Sequence, residues 1–154
     1  MNDFISNWKQ VNDLTIEFLK KIPNKDFSKK PFRKRFKSFA WEFACILSTR
    51  EGYIRGFALE KLDGNCFSSD KELSKKEFLK KLEETNKKIL RILGDKKTKE
   101  INYFGDKTSK ESVLSWLMQH EQLHYGKLVL YFAQAGISLP DSLVRMWDKS
   151  FRKG

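Results

Sequence analysis

Apolar residues recur at helical spacing through most of the chain. From Asp3 to Lys21, Phe4, Ile5, Trp8, Val11, Leu14, Phe18 and Leu19, followed by Ile22, form one unbroken stripe, which predicts a first amphipathic helix. Pro23, Asn24 and Lys25 end it, and a basic connection containing Pro31 follows, since proline disfavours helix at its own position and the one before. A second helix is expected from near Arg33 to about Leu62. Its centre, Phe39 to Leu47, is apolar almost all round, the mark of an element buried on more than one side.

Asp63-Gly64-Asn65 is a stop signal, and the segment to Leu73 reads as loop. Ser74 and Glu77 have the spacing of a capping box and open a third helix with Phe78, Leu82, Thr85, Ile89, Ile92 and Leu93 on its inner face and Gly94 at its end. Ile101, Tyr103 and Phe104 then stand in a polar stretch, expected as a plug at one end of the fold. A second capping box, Thr108 to Glu111, opens a fourth helix running to Gln134 and ended by Gly136. Pro140 precedes a last helix expected from Asp141 to about Arg152, with Leu143, Val144, Trp147 and Phe151 on one side. With no strand signal, the pattern predicts an all-α fold: an up-and-down four-helix bundle with an additional short C-terminal helix, in a single domain spanning residues 1–154.

Composition agrees with a packed domain. The 154 residues are 40% hydrophobic and 14% aromatic, too rich in core formers for disorder despite 33% charged residues. The longest apolar run, Phe39 to Leu47, is too short to span a membrane and contains Glu42. The first residues lack the basic and apolar regions of a signal peptide, so the expected compartment is the cytoplasm. Cys45 and Cys66 are expected there as free thiols. The net charge of +11 is concentrated between Lys20 and Lys37, where nine basic residues face one acid, Asp26. Such a stretch reads as a solvated connection or as a surface for an anionic partner.

The chemistry lies in the fourth helix. The two histidines of the chain, His120 and His124, are four residues apart, so both rise from one helix face toward the stripe of Leu114, Leu117, Leu128 and Tyr131. Two preorganised imidazoles suit a divalent metal such as zinc or nickel, while the alternative is a pair of core histidines held by hydrogen bonds. With Glu121 between them the segment reads His-Glu-x-x-His, the zinc-peptidase motif. The chain has no further histidine and no sheet to hold an extended peptide, so that motif stands without its context.

The wider segment, Gln119-His120-Glu121-Gln122-Leu123-His124-Tyr125-Gly126, continuing to Tyr131, Gln134-Ala135-Gly136, Pro140 and Trp147, resembles the last bundle helix of the DinB family. That resemblance implies a metal held by three histidines, one from the second helix and two from the fourth. The second helix has no histidine. Cys45, within Trp41-Glu42-Phe43-Ala44-Cys45-Ile46-Leu47, stands where the resemblance places the first, with Glu42 the alternative third ligand. Thiolate and imidazole ligands together suit zinc.

The resemblance implies a metal-dependent enzyme acting on a small molecule by thiol-linked transfer, or a hydrolase, with Cys45, His120 and His124 as ligands, Glu121 as base and a low-molecular-weight thiol as partner. It also raises pairing into a homodimer. The competing readings are a non-enzymatic binding or stress-response bundle with a degenerate site, and a nucleic-acid-binding protein using Lys20 to Lys37. No zinc finger or RNA-recognition signature supports the last.

Overall fold

The computed structural model describes residues 2–68 and 72–147. The periodic segments fold as α1 (Asn2–Lys21), α2 (Phe39–Ala58), α3 (Lys75–Gly94) and α4 (Lys110–Ala135), with a short α5 (Asp141–Met146) after them. Helices α1 and α2 each pack against both α3 and α4, so α1 and α2 stand at opposite corners of a four-helix bundle. Thr15 meets Glu121 while Phe18 meets Tyr125 and Phe132, so α1 and α4 run the same way. Cys45 meets His120 while Glu42 meets His124 and Tyr131, so α2 runs against α4. None of the helices among the described residues is long and apolar enough to cross a membrane.

Local chemistry sets the helix ends. The Ser74 and Glu77 capping box forms as expected, and α4 ends at Gly136, whose left-handed φ of 66° lets the Ile137 amide reach Phe132 O at 2.9 Å. Two lysines extend the scheme between helices. Lys75 Nζ donates to Lys20 O and Ile22 O at the end of α1, and buried Lys110 donates to Ile92 O and Asp95 O at the end of α3.

Three boundaries differ from the sequence expectation. Helix α2 starts at Phe39, not Arg33, because the Ser38 hydroxyl caps it by accepting from the Trp41 amide. The preceding run of like charges stays non-helical, with Arg35 at φ 71°. The same helix stops at Ala58, not Leu62, because Glu60 turns to φ 52° and Lys61–Leu62 become a strand. Helix α4 is capped by Ser109, which accepts from the Ser112 amide, instead of by a Thr108 box. In α5 the helix ends at Met146, and the expected extension to Arg152 lies outside the described residues.

The absence of strands was also a wrong expectation. Strands β1 (Lys61–Leu62), β2 (Glu100–Tyr103) and β3 (Asp106–Ser109) form a small sheet in that order, β1 parallel to β2 and β2 antiparallel to β3. The hairpin turns on Phe104 and Gly105, both at positive φ, a two-residue turn usually signalled by Asn-Gly. The expected plug is realised in part: Ile101 is buried and Tyr103 packs on Trp116, but Phe104 at the turn is 56% exposed.

Leu62 and Phe67, which follow α2, pack closely against it, and two glycines permit it. A Cβ on Gly52 would meet the Phe67 ring at 2.5 Å, and one on Gly56 would meet Leu62 at 2.7 Å. Gly52→Ala and Gly56→Ala are each expected to destabilise the fold by about 1–3 kcal/mol in denaturant titrations. Gly126→Ala, in the open interior of α4, should instead be neutral or stabilise by up to about 1 kcal/mol.

One ion pair sits at the centre of the bundle. Arg50 and Glu121 are both fully buried; Arg50 Nε reaches Glu121 Oε1 at 2.6 Å and its Nη2 reaches Oε2 at 2.8 Å. Arg50 Nη1 also donates to Asn12 Oδ1 and Leu82 O, and its guanidinium lies 4.9 Å from the Trp8 ring centre. Thr15 Oγ1 donates to Glu121 Oε2 at 2.6 Å. Removing one partner leaves an uncompensated buried charge, so Arg50→Met or Glu121→Leu alone should cost about 3–5 kcal/mol of stability. The double variant should cost clearly less than the two single losses combined, as read in a double-mutant cycle.

Candidate metal centre

The antiparallel pairing of α2 and α4 brings one turn of each helix face to face. His124 is buried, while Cys45 and His120 are partly open to solvent. The two histidine Nε2 atoms stand 3.2 Å apart, and Cys45 Sγ lies 3.7 Å from His120 Nε2. One donor atom from each of Cys45, His120 and His124 falls within 4.8 Å of the others. The Thr49 hydroxyl, one turn along α2, lies 3.4 Å from the same His120 nitrogen.

The partners of each ring determine what its nitrogens offer. Glu42 Oε2 lies 2.5 Å from His124 Nδ1, so in the neutral ring the proton sits on Nδ1 and the Nε2 lone pair faces the cluster. Burial tends to raise the Glu42 carboxyl, but hydrogen bonds from His124 and Tyr131 outweigh it and hold the group below its usual range. Tyr131 donates to Glu42 Oε1 at 2.8 Å, and burial followed by that contact raises its phenol well above the ordinary value. Burial, and then the neighbouring His124, pushes His120 down to about 4, so its imidazole is neutral at pH 7.

A neutral His120 has one proton for two nitrogens, and neither placement satisfies both. On Nε2, the proton bonds toward His124 and leaves buried Nδ1 an unpaired acceptor; among the described residues Nδ1 has no hydrogen-bond partner. On Nδ1, it strands a donor and sets two Nε2 lone pairs against each other at 3.2 Å. A cation between the rings removes that repulsion. Two imidazole nitrogens bound tetrahedrally at about 2.0–2.1 Å stand roughly 3.3 Å apart, so the observed spacing and donor set fit zinc.

Of the residues expected from sequence, Cys45, His120 and His124 come together here. Glu42 stands behind His124, on the side away from His120. Glu121 is turned toward α1 and α2, with both oxygens engaged by Arg50 and Thr15. Sequence reasoning missed Arg50, Thr49 and the part of Tyr131. The signal for Arg50 was a cation on the stripe of Phe39, Phe43, Ile46, Tyr53 and Phe57 that α2 buries, since a charge at such a position needs a buried partner.

At the mouth, Lys127 Nζ lies 3.5 Å from Glu42 Oε2 and 5.7 Å from the Trp41 ring centre. A separate groove of about 720 Å³ between α1, α4 and α5 opens on the other flank of α4, toward Gln119, Gln122 and Gly126. It holds none of the three clustered donors.

The sequence of the DinB family, as a family model, matches residues 1–145. A DinB-like protein from Bacillus cereus, 18% identical, superposes with a TM-score of 0.73 over 91% of this chain and 95% of its own. A DinB-like protein from Bacillus subtilis, 21% identical, gives 0.66 over 91% and 97%. At these identities the two structures speak for the fold alone. No curated protein matches the sequence. The family match runs from the first turn of α1 into α5 and takes in both bundle helices that carry the cluster, and on that basis the chain belongs to the DinB family.

Proposed function

We propose that this chain is a metal-dependent enzyme acting on a small molecule, with Cys45, His120 and His124 holding one zinc or nickel ion and the chemistry a thiol-linked transfer. The observation that carries the reading is the pair of Nε2 atoms 3.2 Å apart, with Cys45 Sγ 3.7 Å from one of them. Three protein ligands are the number that leaves a position open for water or substrate. When bound, the ion supplies Lewis acidity and lowers the pKa of a water or thiol at that position.

The chain's own residues have distinct parts. Glu42 keeps the His124 proton on Nδ1 and so keeps Nε2 free to bind; Tyr131 and Lys127 hold Glu42 in place. The Thr49 hydroxyl offers a hydrogen bond at the open side of His120. Glu121, committed to Arg50, fixes the height of α4 against α2 and is a positioning residue for its two histidine neighbours.

Elemental analysis of untagged protein should find about one zinc or nickel per chain. Cys45→Ala and His124→Ala should each lose the ion while keeping the helical circular dichroism. Glu42→Gln should still bind, with affinity lowered by about 10–100-fold. Occupancy should fall as the pH is lowered, because protons compete with the metal for the ligand atoms. A wild-type protein that resists reconstitution with both metals overturns the reading and favours a binding bundle with a degenerate site.

A further inference from the structure

The basic stretch of the sequence is anchored beside the candidate metal centre. Residues 28–38 run non-helically into the Ser38 cap of α2 and contain Lys29, Lys30, Arg33, Lys34, Arg35 and Lys37 with no acidic residue. All six are exposed. The segment is pinned from beneath: the Phe32 and Phe36 rings lie 6.0 and 5.7 Å from the Tyr131 ring, and the Lys37 amide donates to Tyr131 Oη at 3.0 Å. Tyr131 in turn donates to Glu42, the partner of His124. The strap and the cluster are thus joined by consecutive hydrogen bonds through two side chains.

The strap is also near. Tyr131 follows His124 by two turns of α4, an axial distance of about 10 Å. Lys127 stands between them on the same helix. Among the described residues only Lys29 of the six makes a salt bridge, to Asp26. The remaining five, exposed and without a salt bridge among the described residues, give the strap a positive potential. Because Phe32 and Phe36 are committed to Tyr131, they are not presented as stacking platforms for nucleic-acid bases.

We propose that the small molecule served by this site carries two or more negative groups, carboxylate or phosphate, bound by the strap and Lys127 while its reactive end reaches Cys45, His120 and His124. The proposal rests on the reading of that cluster as a metal centre. The shared chemistry is a compact dianion, and the axial distance of about 10 Å from Tyr131 to His124 sets the scale of the reach from it to the reactive end.

The test is calorimetric titration of succinate and of fructose 1,6-bisphosphate into zinc-loaded and chelator-treated protein, with the neutral diamide of succinate as comparator. A triple variant, Arg33→Glu, Lys34→Glu and Lys37→Glu, alters exposed side chains only and is checked for zinc content and thermal melting. The expected result is binding of a dianion but not of the diamide, weakened about tenfold or more in the triple variant with zinc content unchanged. Equal binding by wild type and variant overturns the proposal. So does the absence of dianion binding, whether or not duplex DNA or anionic vesicles bind instead. Dianion binding by a protein that takes up no zinc keeps the anion rim and removes only the metal; zinc uptake without dianion binding removes only the rim.

Discussion

The Arg50 and Glu121 pair is the constraint around which this bundle is arranged. Two opposite charges at zero exposure are tolerable only with close geometry and every remaining polar atom satisfied. The chain meets that demand with groups from all four long helices: Asn12 and Thr15 on α1, Arg50 on α2, the Leu82 carbonyl on α3 and Glu121 on α4. A slide of α1, α2 or α4 by a turn breaks two or more of these bonds at once, and a slide of α3 breaks the one to the Leu82 carbonyl. Apolar packing alone tolerates such slides better, because it is not directional. The ion pair therefore sets the register, and the register sets the site.

The dependence is direct at the cluster. Glu121 follows His120 by one residue and precedes His124 by three, while Arg50 follows Thr49 and lies five residues beyond Cys45. The bidentate contact between residues 50 and 121 thus fixes which turn of α2 faces which turn of α4. Cys45 then meets His120, and Glu42 meets His124. The His-Glu-x-x-His spelling acquires a different physical meaning from the one it has in a zinc peptidase. Its two histidines turn to one side of α4, and its glutamate turns inward as an anchor.

Much of the bundle was legible because its signals are local and periodic. The stripe of α1, the capping box at Ser74 and the glycine stop at Gly136 each report a structure that forms within a few residues. The cluster was legible for a related reason, since His120 and His124 share one helix face whatever surrounds them. The strands were not, because β1 has two residues and pairs with β2 across a long stretch of sequence, and the β2–β3 hairpin turns on Phe104-Gly105 instead of the usual Asn-Gly signal. The early start of α2 was overpredicted since charge repulsion and the Ser38 cap compete with a favourable apolar pattern. The role of Glu121 was hidden for the deepest reason: its partner lies 71 residues away, and no spacing rule connects the two.

Cobalt substitution tests the central claim most directly, because the absorption spectrum reports ligand identity and geometry together. Cobalt bound by Cys45, His120 and His124 should show a sulfur-to-cobalt charge-transfer band and the intense visible bands of tetrahedral coordination. The sulfur band should vanish in Cys45→Ser while the helical signal persists. Cobalt bound with no sulfur band, or with a spectrum that Cys45→Ser leaves unchanged, would contradict the assignment of Cys45 as the third ligand.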